Sequence, residues 1–234
     1  MAVIYHSTGG IVTEGLTLHV DPANHSSFLN GSATAYNLVD SNTATLQGTL
    51  TNGVQFITNQ GKGCFYFDGT NDQILYNRAV NQYNPIYLTG AWTCSMWIKS
   101  TISTCGIFSH WSGGPVNLAL GLSSGKMDFY YYDGQWNAGP ATTGTTVNTG
   151  EWVNIAWVRP VVATDPVKMY VNGVLDFELT PRISWGNYHM GNIGAKWSFQ
   201  FYQGYLSKFL IYNRVLEDAE INRNFNATRS RFGV

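Results

Sequence analysis

Apolar and polar residues alternate with a period of two along much of the chain, which is the pattern of strands that bury one face. Val153, Ile155 and Trp157 occupy alternate positions within residues 152–158. After a short loop, Asn172-Gly173 stands between β-prone residues, and this dipeptide is the strongest short signal for a hairpin because both turn positions adopt positive φ. We therefore predict a central strand followed by a hairpin, with residues 150–177 in the middle of their sheet.

The same alternation predicts further strands and leaves room for one helix. The predicted strands cover residues 16–20, 64–67, 73–76, 93–99, 116–122 and 127–132. Trp136 follows a turn signal at Asp133-Gly134, so we predict that it lies in a loop. Ile221 and Phe225 are spaced four apart behind acidic residues, which predicts a short helix over residues 217–225. The secondary structure is therefore predicted to be almost entirely β.

Composition narrows the classes of partner. Charged residues make up 12% of the chain and the formal net charge is -1, so the sequence carries no electrostatic footprint for nucleic acid or for anionic membranes. No apolar stretch approaches a membrane span and no signal peptide is visible, so we expect synthesis in the cytoplasm without membrane insertion. Cys64, Cys94 and Cys105 lack metal-binding spacing and are interpreted as small core residues.

Several motifs resemble those of laminin-G-like, concanavalin A-like domains. Residues 152–158 (Trp-x-x-x-Ala-Trp-Val) followed by residues 169–173 (Met-Tyr-Val-Asn-Gly) are similar to the central pattern of that family. Residues 67–72 (Phe-Asp-Gly-Thr-Asn-Asp) and the spacing of polar residues over 18–27 resemble the N-terminal half of such domains in tailed-phage virion proteins. Residues 224–234 resemble the C-termini of virion structural proteins from tailed phages, particularly marine ones. The resemblance covers roughly residues 11–234.

The resemblance implies a fold and a domain organisation. The expected fold is all-β: a concanavalin A-like jelly-roll β-sandwich of two antiparallel sheets with one short C-terminal helix packed outside. A chain of this length commonly forms one such domain. We therefore expect a single laminin-G-like domain over residues 1–234, with residues 226–234 as a C-terminal extension.

The resemblance also implies a function, with alternatives. We expect a non-enzymatic virion structural, decoration or adhesion protein, located in the virion, that contacts other virion subunits and binds host-surface glycans. A stand-alone carbohydrate-binding lectin module and a glycoside hydrolase are the alternatives. Hydrolysis needs two carboxylates that face one glycosidic bond. Glu217 and Glu220 are better explained as charges in the first turn of the helix, and no catalytic residue is predicted.

Calcium is the one cofactor that the sequence brings into consideration, as a structural ion. Asp21, Asp68 and Asp72 lie in turn sequences and are candidate oxygen ligands. The alternative is that their carboxylates bond the local backbone in Asx-turns. Many relatives carry an Asp-Glu pair where this chain has Ser207-Lys208, which removes two acidic groups and adds a cation. No cofactor is therefore firmly expected.

Aromatic residues in Gly-, Ser- and Asn-rich segments are the candidate ligand site. A flat exposed ring beside hydrogen-bonding side chains suits stacking on a sugar face, and loops at the ends of a rigid sandwich commonly carry recognition. The predicted glycan edge, which we call the aromatic edge, comprises Trp111, Tyr132, Trp136, Trp185 and Tyr188. The alternative is that these rings cover the ends of the sandwich or contact a neighbouring subunit.

The basic C-terminal residues are the candidate subunit contact. Arg229, Arg231 and Phe232 fall in the segment expected to extend beyond the helix, where they could dock on a neighbouring subunit. Weak binding by single rings would require many copies to act together. We therefore expect a homo-oligomer or another multicopy arrangement.

Overall fold

The computed structural model describes residues 10–39, 47–59, 62–76, 87–88, 90–110, 118–132, 136–161, 165–180, 188–189, 191–196 and 199–234. For residues 87–88, 110, 131–132, 136–143 and 188–189 the description is of the backbone. None of the helical structure in these ranges combines the length and the apolar character needed to cross a membrane.

Short strands make up most of the described chain, as the alternating sequence pattern predicts. In chain order they are β1 (Leu16–Val20), β2 (Thr34–Ala35), β3 (Gly48–Thr51), β4 (Gln55–Asn59), β5 (Lys62–Asp68), β6 (Gln73–Tyr76), β7 (Tyr87–Leu88), β8 (Trp92–Lys99), β9 (Cys105–His110), β10 (Leu118–Ser123), β11 (Lys126–Tyr132), β12 (Trp136–Thr146), β13 (Val153–Arg159), β14 (Val167–Val171), β15 (Val174–Leu179), β16 (Tyr188–His189), β17 (Asn192–Ile193), β18 (Ala195–Lys196), β19 (Gln200–Phe201) and β20 (Gln203–Tyr212). The helix α1 (Asp218–Phe232) follows them.

The strands form two large antiparallel sheets, which confirms the predicted sandwich. The first sheet has the order β15-β14-β13-β8-β20-β5-β4, and β1 also pairs with β20. The second has the order β12-β11-β10-β9-β17-β6-β3-β2. Two small two-stranded sheets, β16-β7 and β18-β19, complete the described strands. One hydrophobic core built from both large sheets includes Phe65, Phe67, Phe129, Trp157 and Phe209.

The hairpin predicted at residues 172–173 is present, but its position in the sheet is not the predicted one. Asn172 and Gly173 have φ of 50° and 77° and join β14 to β15. The centre of the first sheet is β8 beside β20, whereas β15 is an edge strand whose Val174 is 64% exposed. The prediction that residues 150–177 lie in the middle was wrong because alternation reports which face is buried and carries no information about strand order.

The helix is longer than predicted and includes most of the expected extension. Glu217 and Glu220 form a capping box at its start, which confirms that they act as first-turn charges, and Gly233 ends it in the left-handed conformation. Thr228 and Phe232 continue the buried stripe set by Ile221 and Phe225. The prediction of a helix over 217–225 followed by an extended tail was therefore wrong, because the buried face continues through a polar-looking sequence.

The helix packs on the outer face of the first sheet through aromatic contacts. The Trp97 ring stacks on Phe232 at a centroid distance of 4.1 Å and on Phe225 at 5.8 Å. Trp97 Nε1 donates a hydrogen bond of 3.0 Å to Thr228 Oγ1. A buried indole needs such a partner for its N–H. The last turns of the helix are therefore part of the folded domain.

Two further predictions concern Trp136 and the three cysteines. Trp136 begins the strand β12, so its predicted placement in a loop was wrong. The following residues, rich in Gly, Ala and Thr, have no alternation that would reveal a strand. Cys64, Cys94 and Cys105 are buried free thiols, which confirms their interpretation as core residues.

Candidate functional site

Strand register brings part of the aromatic edge together at one end of the second sheet. His110 at the end of β9 pairs with Leu118 at the start of β10. Leu118 pairs in turn with Tyr131, and the next residue of β11, Tyr132, pairs directly with Trp136. The β9–β10 and β11–β12 connections therefore leave the same end of the sheet. Tyr132 and Trp136 occupy opposed positions beside the second connection.

The other members of the aromatic edge are defined less completely. Tyr188 lies in β16 and pairs with Leu88 of β7. It precedes β17 by a few residues, and Asn192 of β17 pairs with Ser109 near the end of β9, so the chain at Tyr188 approaches this same end. Trp111 and Trp185 lie outside the described residues, as do the side chains of Tyr132, Trp136 and Tyr188. The aromatic edge remains a prediction.

The outer face of the second sheet beside this edge is polar. Ser109 Oγ donates a hydrogen bond of 2.5 Å to Asn192 Oδ1, and Asn192 Nδ2 donates one of 2.6 Å to Gln73 Oε1. Across the neighbouring strands, Ala119 of β10 pairs with Ser109 of β9 on one side and with Tyr130 of β11 on the other. Small and polar side chains thus line the face next to the predicted edge.

A buried ion pair closes another part of that face. Lys196 Nζ lies 3.0 Å from Asp128 Oδ2, and both side chains are at most 1% exposed. The ammonium also lies 3.9 Å from the centroid of the Tyr130 ring. Burial raises the pKa of Asp128 to about 6, against the lowering effect of Lys196. Because this carboxylate is sealed from solvent, its raised pKa does not provide a general acid that a substrate could reach.

At the first calcium candidate, Asp21, side-chain cations stand beside the carboxylate. Arg231 Nη1 donates hydrogen bonds of 2.8 Å to both carboxylate oxygens, and Lys208 Nζ lies 3.3 Å from Oδ2. Burial alone would raise the pKa of Asp21, but Arg231 and Lys208 outweigh burial and hold it below its usual value. The residue that replaces an acid in the family pattern, Lys208, therefore supplies a positive charge at the place where calcium would need oxygen ligands.

The other two calcium candidates, Asp68 and Asp72, belong to one turn. Asp68 Oδ1 accepts a hydrogen bond of 2.7 Å from Thr70 N, as an Asx-turn requires. Asp72 Oδ2 accepts one of 3.0 Å from Asp68 N, while its Oδ1 has no hydrogen-bond partner among the described residues. Within the same ranges no three His, Cys, Asp or Glu residues cluster as a metal site would require.

The three candidate subunit-contact residues have different environments. Phe232 is 3% exposed beneath the helix and Arg231 is engaged with Asp21, so both stabilise the domain itself. Arg229 is exposed, with its guanidinium 5.9 Å from the Phe225 ring. An extended docking tail is therefore not the form that this segment takes, and whether Arg229 meets another subunit stays a prediction.

The sequence interpretation missed a cleft on the outer face of the first sheet. It has a volume of about 230 Å³, and Tyr66, Lys99, Gln203 and Tyr205 are among its lining residues. A signal was present, since Tyr66 alternates with the buried Phe65 and Phe67 and must therefore face outward. The sequence could not show that β20 lies between β5 and β8 and so brings Tyr205 and Lys99 to the same place.

Comparison with known proteins identifies the fold. The sequence matches the family model described as the concanavalin A-like lectin/glucanases superfamily over residues 76–222. No curated protein sequence matches it significantly. Among solved structures it is similar to domain 4 of AbnA, a GH43 extracellular arabinanase from Geobacillus stearothermophilus, in complex with arabinotriose. That match has a TM-score of 0.64 and 19% identity and covers 88% of this chain and 96% of the domain.

Two larger proteins contain a similar domain. Trypanosoma rangeli sialidase in complex with the inhibitor DANA matches with a TM-score of 0.68 and 14% identity over 96% of this chain, which spans only 34% of the sialidase. The binding domain of Paraclostridial Mosquitocidal Protein 1 matches with a TM-score of 0.63 and 16% identity over 91% of this chain and 52% of that domain. At these identities the likeness shows the fold alone.

Proposed function

Because the chain belongs to the concanavalin A-like lectin/glucanases superfamily, we propose that it is a non-enzymatic glycan-binding protein whose saccharide site is the aromatic edge. The observation that carries this proposal is the strand register at one end of the second sheet. It opposes Tyr132 to Trp136 and directs the β9–β10 connection to the same end. Beside this end, Ser109 and Asn192 are buried and bonded to each other, so they hold neighbouring strands of the sheet together.

The energetics favour many weak contacts over one tight site. Each ring stacked on a sugar contributes on the order of 1 kcal/mol beyond its area burial. A single edge with a few such rings would bind weakly, and several linked copies would bind far more tightly through avidity. The proposed function is therefore carried out by a multicopy assembly.

A glycan array probed with a multivalent form of the protein tests the site. We expect the wild type to bind at least one glycan and the double variant Trp136→Ala/Trp185→Ala to lose most of that signal. Phe199→Ala is the control, because Phe199 is a 71% exposed ring that is not part of the edge. Equal binding by the double variant would refute the site, and an array on which the wild type binds nothing would refute the proposed function.

The absence of catalysis is part of the same proposal. A glycosidase needs two carboxylates that reach one bond. Three of the acidic residues discussed above are engaged in ion pairs. Asp128 is buried against Lys196, and Asp21 is buried against Arg231. Glu220 pairs with Arg214 at 2.6 Å. Sustained release of reducing sugar from a polysaccharide panel, abolished by one Asp or Glu substitution, would contradict this part.

We place the protein in the virion of a tailed phage, with other virion subunits as partners. The support is the resemblance of residues 224–234 to the C-termini of virion proteins, together with a helix whose Arg229 side is left open to solvent. Arg229→Gln should lower incorporation into particles with little change in the melting temperature of the free protein, because Arg229 is exposed and makes no ion pair within the described residues. Unchanged incorporation would remove Arg229 from the contact, and a map of the source particle without this protein would refute the location.

A further inference from the structure

The cleft on the outer face of the first sheet lies at the opposite end of the sandwich from the aromatic edge. It is lined by Tyr66, Lys99, Ser100, Thr101, Gly150, Gln203, Gly204 and Tyr205. Residues 100 and 101 belong to the connection from β8 to β9, whereas the aromatic edge adjoins the connection from β9 to β10. Its volume of about 230 Å³ is below the roughly 300–1,000 Å³ of pockets for drug-sized ligands. A ligand the size of one sugar residue fits this scale.

A row of aromatic rings runs from beneath the helix into this cleft. Phe232 lies 5.0 Å from Trp152, Trp152 lies 6.5 Å from Tyr205, and Tyr205 lies 5.2 Å from Tyr66, measured between ring centroids. The first two rings are buried, while Tyr205 and Tyr66 are half-buried. The planes of the two tyrosine rings are inclined by 43° to each other. They therefore offer two adjacent faces for stacking and do not form a parallel pair between which a flat nucleobase could insert.

The floor of the cleft is fixed by backbone contacts. Gly204 has a φ of +142°, and a Cβ at this position would lie 2.4 Å from the Lys99 carbonyl oxygen, so only glycine fits there. Ser100 Oγ donates a hydrogen bond of 2.6 Å to the Gln203 carbonyl, and Gly150 N donates one of 2.9 Å to the Ser100 carbonyl. The cleft is thus held open before any ligand arrives, which reduces the entropic cost of binding.

The polar groups of the cleft suit a sugar that carries a negative charge. Lys99 is partly exposed and forms no ion pair among the described residues. It is the cation among lining residues that otherwise offer tyrosine rings, hydroxyl groups and the Gln203 amide. We propose that this cleft binds a carboxylate-bearing sugar residue, with its ring against Tyr66 and Tyr205 and its carboxylate on the Lys99 ammonium. A charge-assisted contact of this kind is about twice as strong as a neutral hydrogen bond.

Isothermal titration calorimetry with matched pairs of ligands tests this proposal. The probes are oligosaccharides that contain galacturonate, glucuronate or N-acetylneuraminate, each beside its carboxyl-reduced neutral counterpart, together with the free acidic monosaccharides. We expect at least one acidic oligosaccharide to bind about tenfold more tightly than its neutral counterpart, with the preference weakening as salt is raised. Binding of the corresponding monosaccharide would show that a single residue is sufficient, and its failure to bind would show that a chain context is needed.

Two variants and one matched control locate the binding. Lys99→Gln should lower the affinity for the acidic sugar about tenfold while leaving that for the neutral counterpart unchanged, and Tyr66→Ala should weaken both. Lys126→Gln replaces another partly exposed lysine at a strand end and should change nothing. The proposal is overturned if no acidic sugar binds better than its neutral counterpart, or if Lys99→Gln binds as the wild type does.

The two sites can be separated, since the cleft does not depend on the aromatic edge. Binding of acidic sugar that survives Trp136→Ala/Trp185→Ala supports the cleft whatever the glycan array shows. Loss of that binding in the double variant, with Lys99→Gln unaffected, assigns the acidic sugar to the aromatic edge and overturns the cleft alone.

Discussion

Two buried aspartates, Asp21 beside the first sheet and Asp128 on the second, meet cationic side chains in different numbers. Asp21 contacts the guanidinium of Arg231 and the ammonium of Lys208, whereas Asp128 pairs with the ammonium of Lys196. Burial acts in the same direction at both carboxylates, but the pKa of Asp21 is lowered and that of Asp128 is raised to about 6. Arg231 and Lys208 together outweigh burial at Asp21, whereas Lys196 does not outweigh burial at Asp128.

The two aspartates also belong to different coverings of the outer sheet faces: helix α1 covers part of the first sheet, and strand β18 covers part of the second. On the first sheet, Asp21 anchors the end of a helix that is otherwise held by aromatic packing against Trp97. On the second, Lys196 belongs to β18, whose backbone lies so close to β9 that a Cβ at Gly106 would come within 1.8 Å of it. Apolar packing tolerates the loss of one contact better than a sealed charge tolerates the loss of its partner.

The largest effect should come from removing the end of the helix. Deleting residues 226–234 takes away Phe232, Thr228 and Arg231, which uncovers Trp97 and leaves Asp21 without its guanidinium. Loss of one buried Phe alone costs about 3–5 kcal/mol, so the deletion should consume much of the roughly 5–15 kcal/mol that stabilises a domain. Chemical denaturation should therefore show a severely destabilised or unfolded chain.

A substitution at the exposed side of the same helix is the control for that deletion. Arg229→Ala should change the free energy of unfolding by less than about 0.5 kcal/mol, as surface substitutions usually do. A truncated protein with the stability of the wild type would show that residues 226–234 are dispensable for the fold after all.

The next largest effect should come from the ion pair on the second sheet. Lys196→Met leaves the carboxylate of Asp128 buried without its cation, and breaking a buried pair in this way costs about 3–5 kcal/mol. Lys168→Met is the matched control, because its partner Asp218 is 63% exposed and such pairs contribute at most about 1 kcal/mol. Equal losses in the two variants, measured by urea denaturation, would contradict the account of Asp128.

The cost of Lys196→Met should depend on pH in a defined direction. Burial raises the pKa of Asp128 and Lys196 lowers it, so removing the lysine raises this pKa above about 6, further from the value of 3.8 in the unfolded chain. A folded pKa above the unfolded one gives stability that is lost as pH rises through the folded pKa. The variant should therefore be more stable near pH 5 than at pH 8, and the reverse order would refute the assignment.

The smallest effect should follow removal of calcium. Since Arg231 and Lys208 already compensate Asp21, we propose that the fold has no requirement for a calcium ion at this carboxylate. A chelator should leave the melting temperature unchanged, because chelation lowers stability only where an ion is bound to the folded state. A clear fall in melting temperature that calcium alone restores would contradict this proposal.

Sequence patterns predicted the class of fold but left the order of its strands open. The Asn172-Gly173 turn and the strand around Trp157 were predicted from local signals and are both present, although β13 is buried on both faces and not on one. The centre of the first sheet could not be predicted, because β8 and β20 are far apart in sequence and nothing local marks them as partners. The continuation of the helix to Phe232 was predictable from the spacing of residues 221, 225, 228 and 232, which follows the helical repeat.

The two candidate sites differ in how much of each the sequence could predict. The aromatic edge was proposed from single residues in turn-rich segments, and it remains a prediction. The cleft could not be proposed from the sequence, since Tyr66, Lys99 and Tyr205 meet only through the pairing of three separate strands. Of the two cations beside Asp21, the sequence indicated only Lys208, which departs from the family pattern. Arg231 was predicted to lie in an extended tail and not beside Asp21.

The position of β20 has a consequence for how the chain acquires its structure during synthesis. Residues 203–206 of β20 pair with β5 and residues 209–212 pair with β1, while β8 pairs along the other side. Until the ribosome has delivered this strand, β1, β5 and β8 all present unpaired backbone edges, which are templates for aggregation. We therefore expect a chain that ends before residue 203 to aggregate more readily than the full chain, because three strand edges stay unpaired.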